Sequence, residues 1–206
     1  AGADADGAWR AFNDMAGLGL VPDVATFTNL IVACANATSG PGGGAAVESA
    51  WKALRAMQDA GIPPNTVAYS ALITACARGR VGKAMSSDVQ GAWRAYKEMR
   101  EAGVEANHVT YSALIQACAR GHVDAAGGAD ADAAWNAYDD MLAQGVAPSA
   151  TLLGHLTMAS AQARDATSNA PDVERALQAF RLLCGQAKSE ARSSSGLRAV
   201  PATTAL

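Results

Sequence analysis

Residues 66–78 read TVAYSALITACAR, and residues 108–120 read HVTYSALIQACAR, so one pattern recurs after 42 positions. Within the first copy, apolar side chains follow the spacing i, i+3, i+4, i+7, at Tyr69, Leu72, Ile73 and Cys76. This spacing is typical of one face of an amphipathic helix. Residues 91–102 (GAWRAYKEMREA) carry a second apolar stripe at Trp93, Tyr96 and Met99. The two segments therefore predict a pair of helices.

The 42-residue period extends through most of the 206-residue chain. Independent series share it, namely Trp9, Trp51, Trp93 and Trp135; Met15, Met57, Met99 and Met141; Cys34, Cys76 and Cys118; and Gly19, Gly61, Gly103 and Gly145. A period of this length indicates stacked supersecondary units. We therefore predict an all-α fold, an α-solenoid of stacked antiparallel helix pairs.

Boundaries of the units follow from the phase of these series. We expect the second helix of a truncated repeat at 7–23, three repeats at 24–65, 66–107 and 108–149, a degenerate fourth repeat at 150–188, and a flexible tail at 189–206. Segments of about 12 residues between the two helices of a unit are rich in Gly, Ser and Asp and predict exposed loops or frayed helix ends. Because the array opens on an unpaired second helix, we expect a longer parent chain or a partner at that end.

The two helical patterns carry a family resemblance. HVTYSALIQACARG (108–121) and GAWRAYKEMREAGVEAN (91–107) resemble the pentatricopeptide repeat family over about residues 7–184. The resemblance implies a right-handed superhelix whose first helices line the concave face. The unit of 42 residues exceeds the family's usual 35, and the extra residues fall in the loop between the two helices.

Single-stranded RNA is the ligand that this resemblance implies, at one base per repeat. Base-reading positions are the fifth residue of each first helix and the last residue of each repeat, which are Thr28 with Asn65, Ser70 with Asn107, and Ser112 with Ser149. The first two pairs imply a preference for adenine. Residues that would flank the bases are Ala25, Val67, Val109 and Thr151.

The same polar residues have an ordinary structural interpretation. Asparagine before a helix is a common N-cap, and Ser or Thr near a helix start is a common capping residue. Asn65 and Asn107 would occupy their positions with or without RNA. A net charge of −3 also argues against this segment being a strong RNA binder by itself.

Other kinds of site find little support. Without a CxxC motif or a paired His, Cys34, Cys76 and Cys118 predict small buried side chains rather than zinc ligands or disulfides, whereas Cys184 has no partner in the phase and is expected to be exposed. The Asp-x-Asp pattern of GADAD at 2–6 and 128–132 is a weak metal signal, so we expect no metal and no cofactor. No catalytic triad or phosphate loop follows from the spacing, and no apolar run is long enough to span a membrane.

Three functions remain open. The first is an RNA-binding adaptor, a segment of a chloroplast or mitochondrial pentatricopeptide repeat protein that acts in RNA processing, stability or translation. The second is a protein-interaction scaffold subunit of an organellar ribosome or another large assembly, which the near-neutral charge favours. The third is a protein-only RNase P, whose catalytic domain would lie outside this chain. We expect the chain itself to be no enzyme and to take no small-molecule substrate.

Overall fold

The computed structural model describes residues 5–37, 43–79, 87–121, 130–163 and 173–196. These residues form nine helices: α1 (Ala5–Gly17), α2 (Val24–Asn36), α3 (Gly43–Asp59), α4 (Thr66–Arg78), α5 (Val89–Glu101), α6 (His108–Arg120), α7 (Ala131–Ala143), α8 (Ala150–Gln162) and α9 (Val173–Gly196). The ranges just given contain no strand. The predicted all-α helical repeat fold is confirmed.

The helices form two layers. First helices α2, α4, α6 and α8 pack side by side on one another, and they form the inner layer. Second helices α3, α5 and α7 form the outer layer, and each packs against the first helix before it and the first helix after it. Every repeat therefore buries its apolar face on its neighbours, as expected for a solenoid.

Side-chain caps fix where the inner helices begin. Asp23, Asn65, Asn107 and Ser149 are the N-caps of α2, α4, α6 and α8, and each accepts a hydrogen bond from a backbone N–H of the first helical turn. The cap satisfies a donor that the helix itself cannot. Each cap is the last residue before its helix, so the start of the helix is encoded locally.

Glycines end the outer helices. Gly19, Gly61, Gly103 and Gly145 have φ angles of 74°, 71°, 69° and 71°. A left-handed residue after a helix lets the last carbonyls accept hydrogen bonds, and glycine adopts this conformation without a Cβ penalty. After Gly103, for example, the N–H of Val104 donates to the Met99 carbonyl at 3.0 Å. The glycine series of the 42-residue period therefore marks the C-terminal ends of these helices.

Hydrogen bonds hold the ends of the long loops together. The N–H of Asp88 donates to the Cys76 carbonyl at 3.0 Å, and the N–H of Asp130 donates to the Cys118 carbonyl at 3.3 Å. The chain therefore re-enters each unit at the same point of the preceding helix. The loops themselves, at 38–42, 80–86 and 122–129, lie outside the described residues.

The core follows the repeating series. Cys34, Cys76 and Cys118 are fully buried free thiols, and their predicted burial is confirmed. The Met57, Met99 and Met141 side chains are also fully buried. Each tryptophan of the Trp9 series is half-buried and packs against the edge of this core.

The C-terminal part differs from the predicted boundary. Helix α9 continues to Gly196, past residue 188, where we expected the fourth repeat to end and the tail to begin. Gln178, Lys188 and Arg192 are among the helix-favouring residues of this segment, which explains how the helix continues without an apolar repeat. The rest of the expected tail, 197–206, lies outside the described residues.

Candidate nucleic-acid interface

The first predicted reading pair is brought together across two neighbouring repeats. The Asn65 amide lies between α2 and α4, where its Nδ2 donates to Thr28 Oγ1 at 3.4 Å. Its Oδ1 accepts from the Ala68 N–H at 2.9 Å, so this oxygen also serves as the N-cap. An amide has two N–H donors and two lone pairs, and Asn65 therefore keeps one of each for a ligand. Thr28 itself is only 8% exposed.

The second pair is joined through a third residue. Ser70 Oγ and Thr110 Oγ1 share a hydrogen bond of 2.7 Å, and Thr110 Oγ1 donates to Asn107 Oδ1 at 3.2 Å. Asn107 Oδ1 also accepts from the Val109 and Thr110 N–H groups, so its carbonyl is fully used by the cap. No described residue accepts a hydrogen bond from its exposed Nδ2, which leaves two donors for a ligand.

The third pair lines a groove on the inner layer. Ser112 on α6 and Ser149 at the start of α8 both border this groove, which has a volume of ≈ 430 Å³. The inner groove is lined by Thr74, Arg78, His108, Val109, Ser112, Ala113, Gln116, Ser149, Thr151 and His155. The structure therefore places predicted reading and flanking residues around one space.

The predicted flanking residues lie at the surface. Val67 is 55% exposed and Val109 is 43% exposed, each in the first turn of its helix, and Ala25 and Thr151 are exposed at the equivalent positions. Exposed valines in a regular array offer apolar contact to flat ligands such as bases. Ser70, by contrast, is 5% exposed and already hydrogen-bonded, so only a small part of its hydroxyl is accessible.

Charge is distributed unevenly between the two layers. The sequences of α2, α4, α6 and α8 contain no Asp or Glu, although the chain has 19 of them. The same four helices carry Arg78, Arg120, His108 and His155. Arg78 and Arg120 are exposed at the last position of α4 and α6. The chain as a whole therefore has a small negative net charge, whereas its four inner helices are neutral to positive.

Two features of the site were missed by the sequence analysis. Thr110 is fully buried and connects Ser70 to Asn107, and its place as the third residue of α6, after an Asn cap, was an available signal. Gln116 Nε2 lies 3.2 Å from His155 Nε2, between α6 and α8. Burial lowers the pKa of His155, and the nearby Arg120 charge lowers it further, so the neutral imidazole is favoured.

A metal site finds no support in the described ranges, which hold no group of three or more His, Cys, Asp or Glu side chains suited to one. Of the GADAD segment at 128–132, Asp130 is the N-cap of α7 and Asp132 pairs with Arg175. None of the described helices combines the length and apolar character that crossing a bilayer requires.

Sequence comparison identifies one repeat. A model of the pentatricopeptide repeat family matches residues 83–120, which include α5 and α6. No curated protein shows a significant sequence match to the chain.

Solved structures share the fold at low sequence identity. The chain superposes on the pentatricopeptide repeat domain of Arabidopsis thaliana protein-only RNase P 1, solved with tRNA, with a TM-score of 0.66 and 17% identity, covering 90% of this chain and 83% of that one. It superposes on the pentatricopeptide repeat protein PPR10, solved with an 18-nt psaJ RNA element, with a TM-score of 0.60 and 23% identity, covering 90% of this chain and 23% of that one.

A third similar structure is nuclear proteinaceous RNase P 2 of A. thaliana, with a TM-score of 0.60 and 16% identity, covering 77% of this chain and 31% of that one. The chain thus spans about a third or less of the length of PPR10 and RNase P 2. Residues 83–120 thus match the model of the pentatricopeptide repeat family, and the chain shares the all-α helical repeat solenoid fold of the solved pentatricopeptide repeat structures.

Proposed function

We propose that the chain is an RNA-binding adaptor that takes single-stranded RNA along its inner layer. The observation that carries this proposal is the contact between Asn65 and Thr28, whose polar atoms meet at 3.4 Å from two neighbouring repeats. A base placed there would meet a hydroxyl and an amide together, which is the arrangement that modular reading requires. The two structural neighbours solved with RNA support the same choice of ligand.

Electrostatics support this ligand as well. RNA binding depends on cationic contacts with phosphates, and acidic side chains in the same face would oppose them. Because α2, α4, α6 and α8 contain no acidic residue, a phosphate chain that follows Arg78 and Arg120 would cross no carboxylate of these helices. Few cations are present, so we expect the affinity of this segment to be low and strongly dependent on salt.

The finer parts of the proposal rest on the resemblance of the repeats. Thr28 with Asn65 and Ser70 with Asn107 would favour two adjacent adenines. The role would be in RNA processing, stability or translation, in a chloroplast or mitochondrion. In this role the chain binds and positions RNA, and any chemical step belongs to another domain or partner.

Asparagine-to-aspartate changes test the proposal, because they separate capping from base reading. Aspartate caps a helix as well as asparagine does, but it has no N–H donor. We therefore expect Asn65→Asp/Asn107→Asp to keep the free energy of unfolding within about 0.5 kcal/mol of the wild type. Preference for oligo(A) over oligo(C), measured by fluorescence anisotropy at low salt, should disappear in the same variant.

Two controls make the result decisive. Asn65→Ala/Asn107→Ala should lose stability as well as preference, because alanine removes both caps at about 1 kcal/mol each. Asn29→Asp changes an exposed asparagine of α2 that is not a cap and should leave the preference unchanged. Absence of RNA binding by the wild type at low salt, in a chain with its native neighbouring repeats, would contradict the proposal.

A second candidate is a protein-interaction scaffold within an organellar ribosome or another large assembly. The observation that favours it is the outer groove between α3 and α5, with a volume of ≈ 650 Å³. This groove mixes Glu48, Asp59 and Asp88 with Lys52, Arg55 and Arg94 around the half-buried Trp51. Charges of both signs around an aromatic residue suit a protein surface better than RNA. Binding of a partner that is lost in Trp51→Ala and kept in Asn65→Asp would favour this function.

A further inference from the structure

Between α6 and α8 the inner groove has a polar wall that the other repeats lack. Gln116 and His155 lie side by side there, with their Nε2 atoms 3.2 Å apart. Both side chains are half-buried, and both border the groove that Ser112 and Ser149 line. A ligand in contact with these serines would therefore also be close to the amide and the imidazole.

The 42-residue phase shows that this pair is particular to one place. The positions equivalent to Gln116 and His155 are Thr74 and Ala113 one repeat earlier, and Val32 and Ala71 two repeats earlier. Thr74 Oγ1 donates to the Ser70 carbonyl of its own helix at 2.7 Å, so that hydroxyl is used internally. Among these three pairs of inner helices, only α6 and α8 therefore carry side chains at this position that hydrogen-bond to each other.

One ring nitrogen of His155 is left without a partner. Its Nδ1 is buried and makes no hydrogen bond to any residue that the structure describes. A ligand atom that reached this nitrogen would supply the hydrogen-bond partner that it lacks. The residue before His155 on α8 is Gly154, where a Cβ atom would meet nothing within 4 Å.

We propose that Gln116 and His155 determine which base the third repeat accepts, with a nucleobase of single-stranded RNA as the occupant of the groove. The inference rests on the proposed function and deepens it. Ser112 and Ser149 offer only short hydroxyls, which donate and accept indiscriminately. A neutral imidazole and an amide have fixed donors and acceptors, so they can reject a base whose edge does not match.

The test measures base preference at one RNA position. Oligonucleotides with two adjacent adenines, flanked on either side by each of the four bases in turn, are titrated against the wild type at low salt. We expect a preference of at least about fivefold between the best and the worst base at one flanking position. Gln116→Thr/His155→Ala, which installs the residues of the preceding repeat, should reduce that preference below twofold and keep the adenine preference.

A matched variant and a spectroscopic measurement complete the experiment. Thr157→Val on α8 changes a residue outside the groove lining, and it should leave the flanking preference unchanged. The ¹⁵N resonance of His155 Nδ1 should shift when the preferred RNA is added to the wild type. Circular dichroism of all variants confirms that the helices are retained.

The outcomes distinguish this inference from the proposed function. A wild type that prefers adenine but shows no flanking preference, or a double variant that keeps the full preference, overturns the inference and leaves the proposed function intact. A wild type that binds no RNA overturns both.

Discussion

Gly103 and Gly154 are both glycines, but they have different backbone conformations. Gly103 has a φ of +69° after α5, whereas Gly154 lies inside α8, and at neither position would a Cβ atom meet anything within 4 Å. Steric space therefore cannot distinguish them, and only backbone conformation can.

We predict that Gly103→Ala lowers the free energy of unfolding by about 1–2 kcal/mol, because an L-residue is strained in the left-handed region. Gly154→Ala should raise it by about 0.5–1 kcal/mol, because glycine is a poor helix former. Urea denaturation of the two variants measures both effects. Equal changes of the same sign would show that contacts, rather than the backbone, decide stability here.

Buried thiols predict a loss of stability in alkali. Burial raises the pKa of Cys76 and of Cys118 from 9.0 to about 12. Near pH 9 a thiol ionises in the unfolded chain, whereas the buried thiol of the folded chain keeps its proton. The contribution of the thiol to the free energy of unfolding is therefore complete below pH 9 and is lost as the pH rises towards 12. Each thiol should add a slope approaching about 1.4 kcal/mol per pH unit.

Urea denaturation at pH 7, 9 and 10 measures this slope, to which the tyrosines also contribute because they ionise near pH 10 in the unfolded chain. Cys76→Ala/Cys118→Ala is the control variant, and its stability should depend less on pH than that of the wild type, whatever its stability at pH 7. An unchanged slope in the variant would mean that other groups cause the alkaline loss.

At the scale of the helical elements, one buried hydrogen bond joins α7 to α8. Trp135 Nε1 donates to Ser160 Oγ at 3.1 Å, and Ser160 is fully buried. Ser160 follows Cys34, Cys76 and Cys118 in the 42-residue phase, so an oxygen acceptor replaces a thiol at this position. The bond therefore gives this helix pair a polar link in the place where earlier repeats have cysteine.

We predict that Ser160→Ala lowers the free energy of unfolding by about 1–2 kcal/mol, because it leaves a buried indole N–H without an acceptor. Thr157→Ala is a matched control on the same helix, since the Thr157 hydroxyl donates only to the Leu153 carbonyl, at 2.8 Å. It should change stability by less than about 0.5 kcal/mol. Thermal denaturation of both variants tests the difference.

The elements also show what the sequence can predict. Helix α4 begins and ends at the predicted residues, because Asn65 and Gly79 stand next to it and cap it locally. The contact between Gln116 and His155 was not predicted, because it depends on how α6 and α8 lie against each other and not on either helix alone. The extension of α9 to Gly196 was missed because that segment lacks the apolar periodicity on which the boundary was based.

For RNA binding by the whole molecule, the distribution of charged residues between the two layers matters more than the net charge. The net charge of −3 led us to expect weak RNA binding. The four inner helices contain no acidic residue, although Asp23 caps the first of them, whereas α3, α5 and α7 carry carboxylates, so the two layers differ in charge. Screening at physiological salt acts over about 8 Å, which is less than the thickness of one helix layer, so the inner face is partly shielded from the outer carboxylates.

This segregation predicts which cations control the affinity for RNA. Arg78→Ala and Arg120→Ala should each weaken binding to all sequences alike and reduce the slope of log K against log salt by about 0.7, the value for one phosphate of a single strand. Lys97→Ala on the outer layer removes the same charge, there paired with Glu101 at 3.7 Å, and should leave the slope unchanged. Titrations from low to moderate salt measure all three. An equal loss of slope in the three variants would mean that only net charge attracts the RNA, and that the two layers do not act as separate electrostatic surfaces.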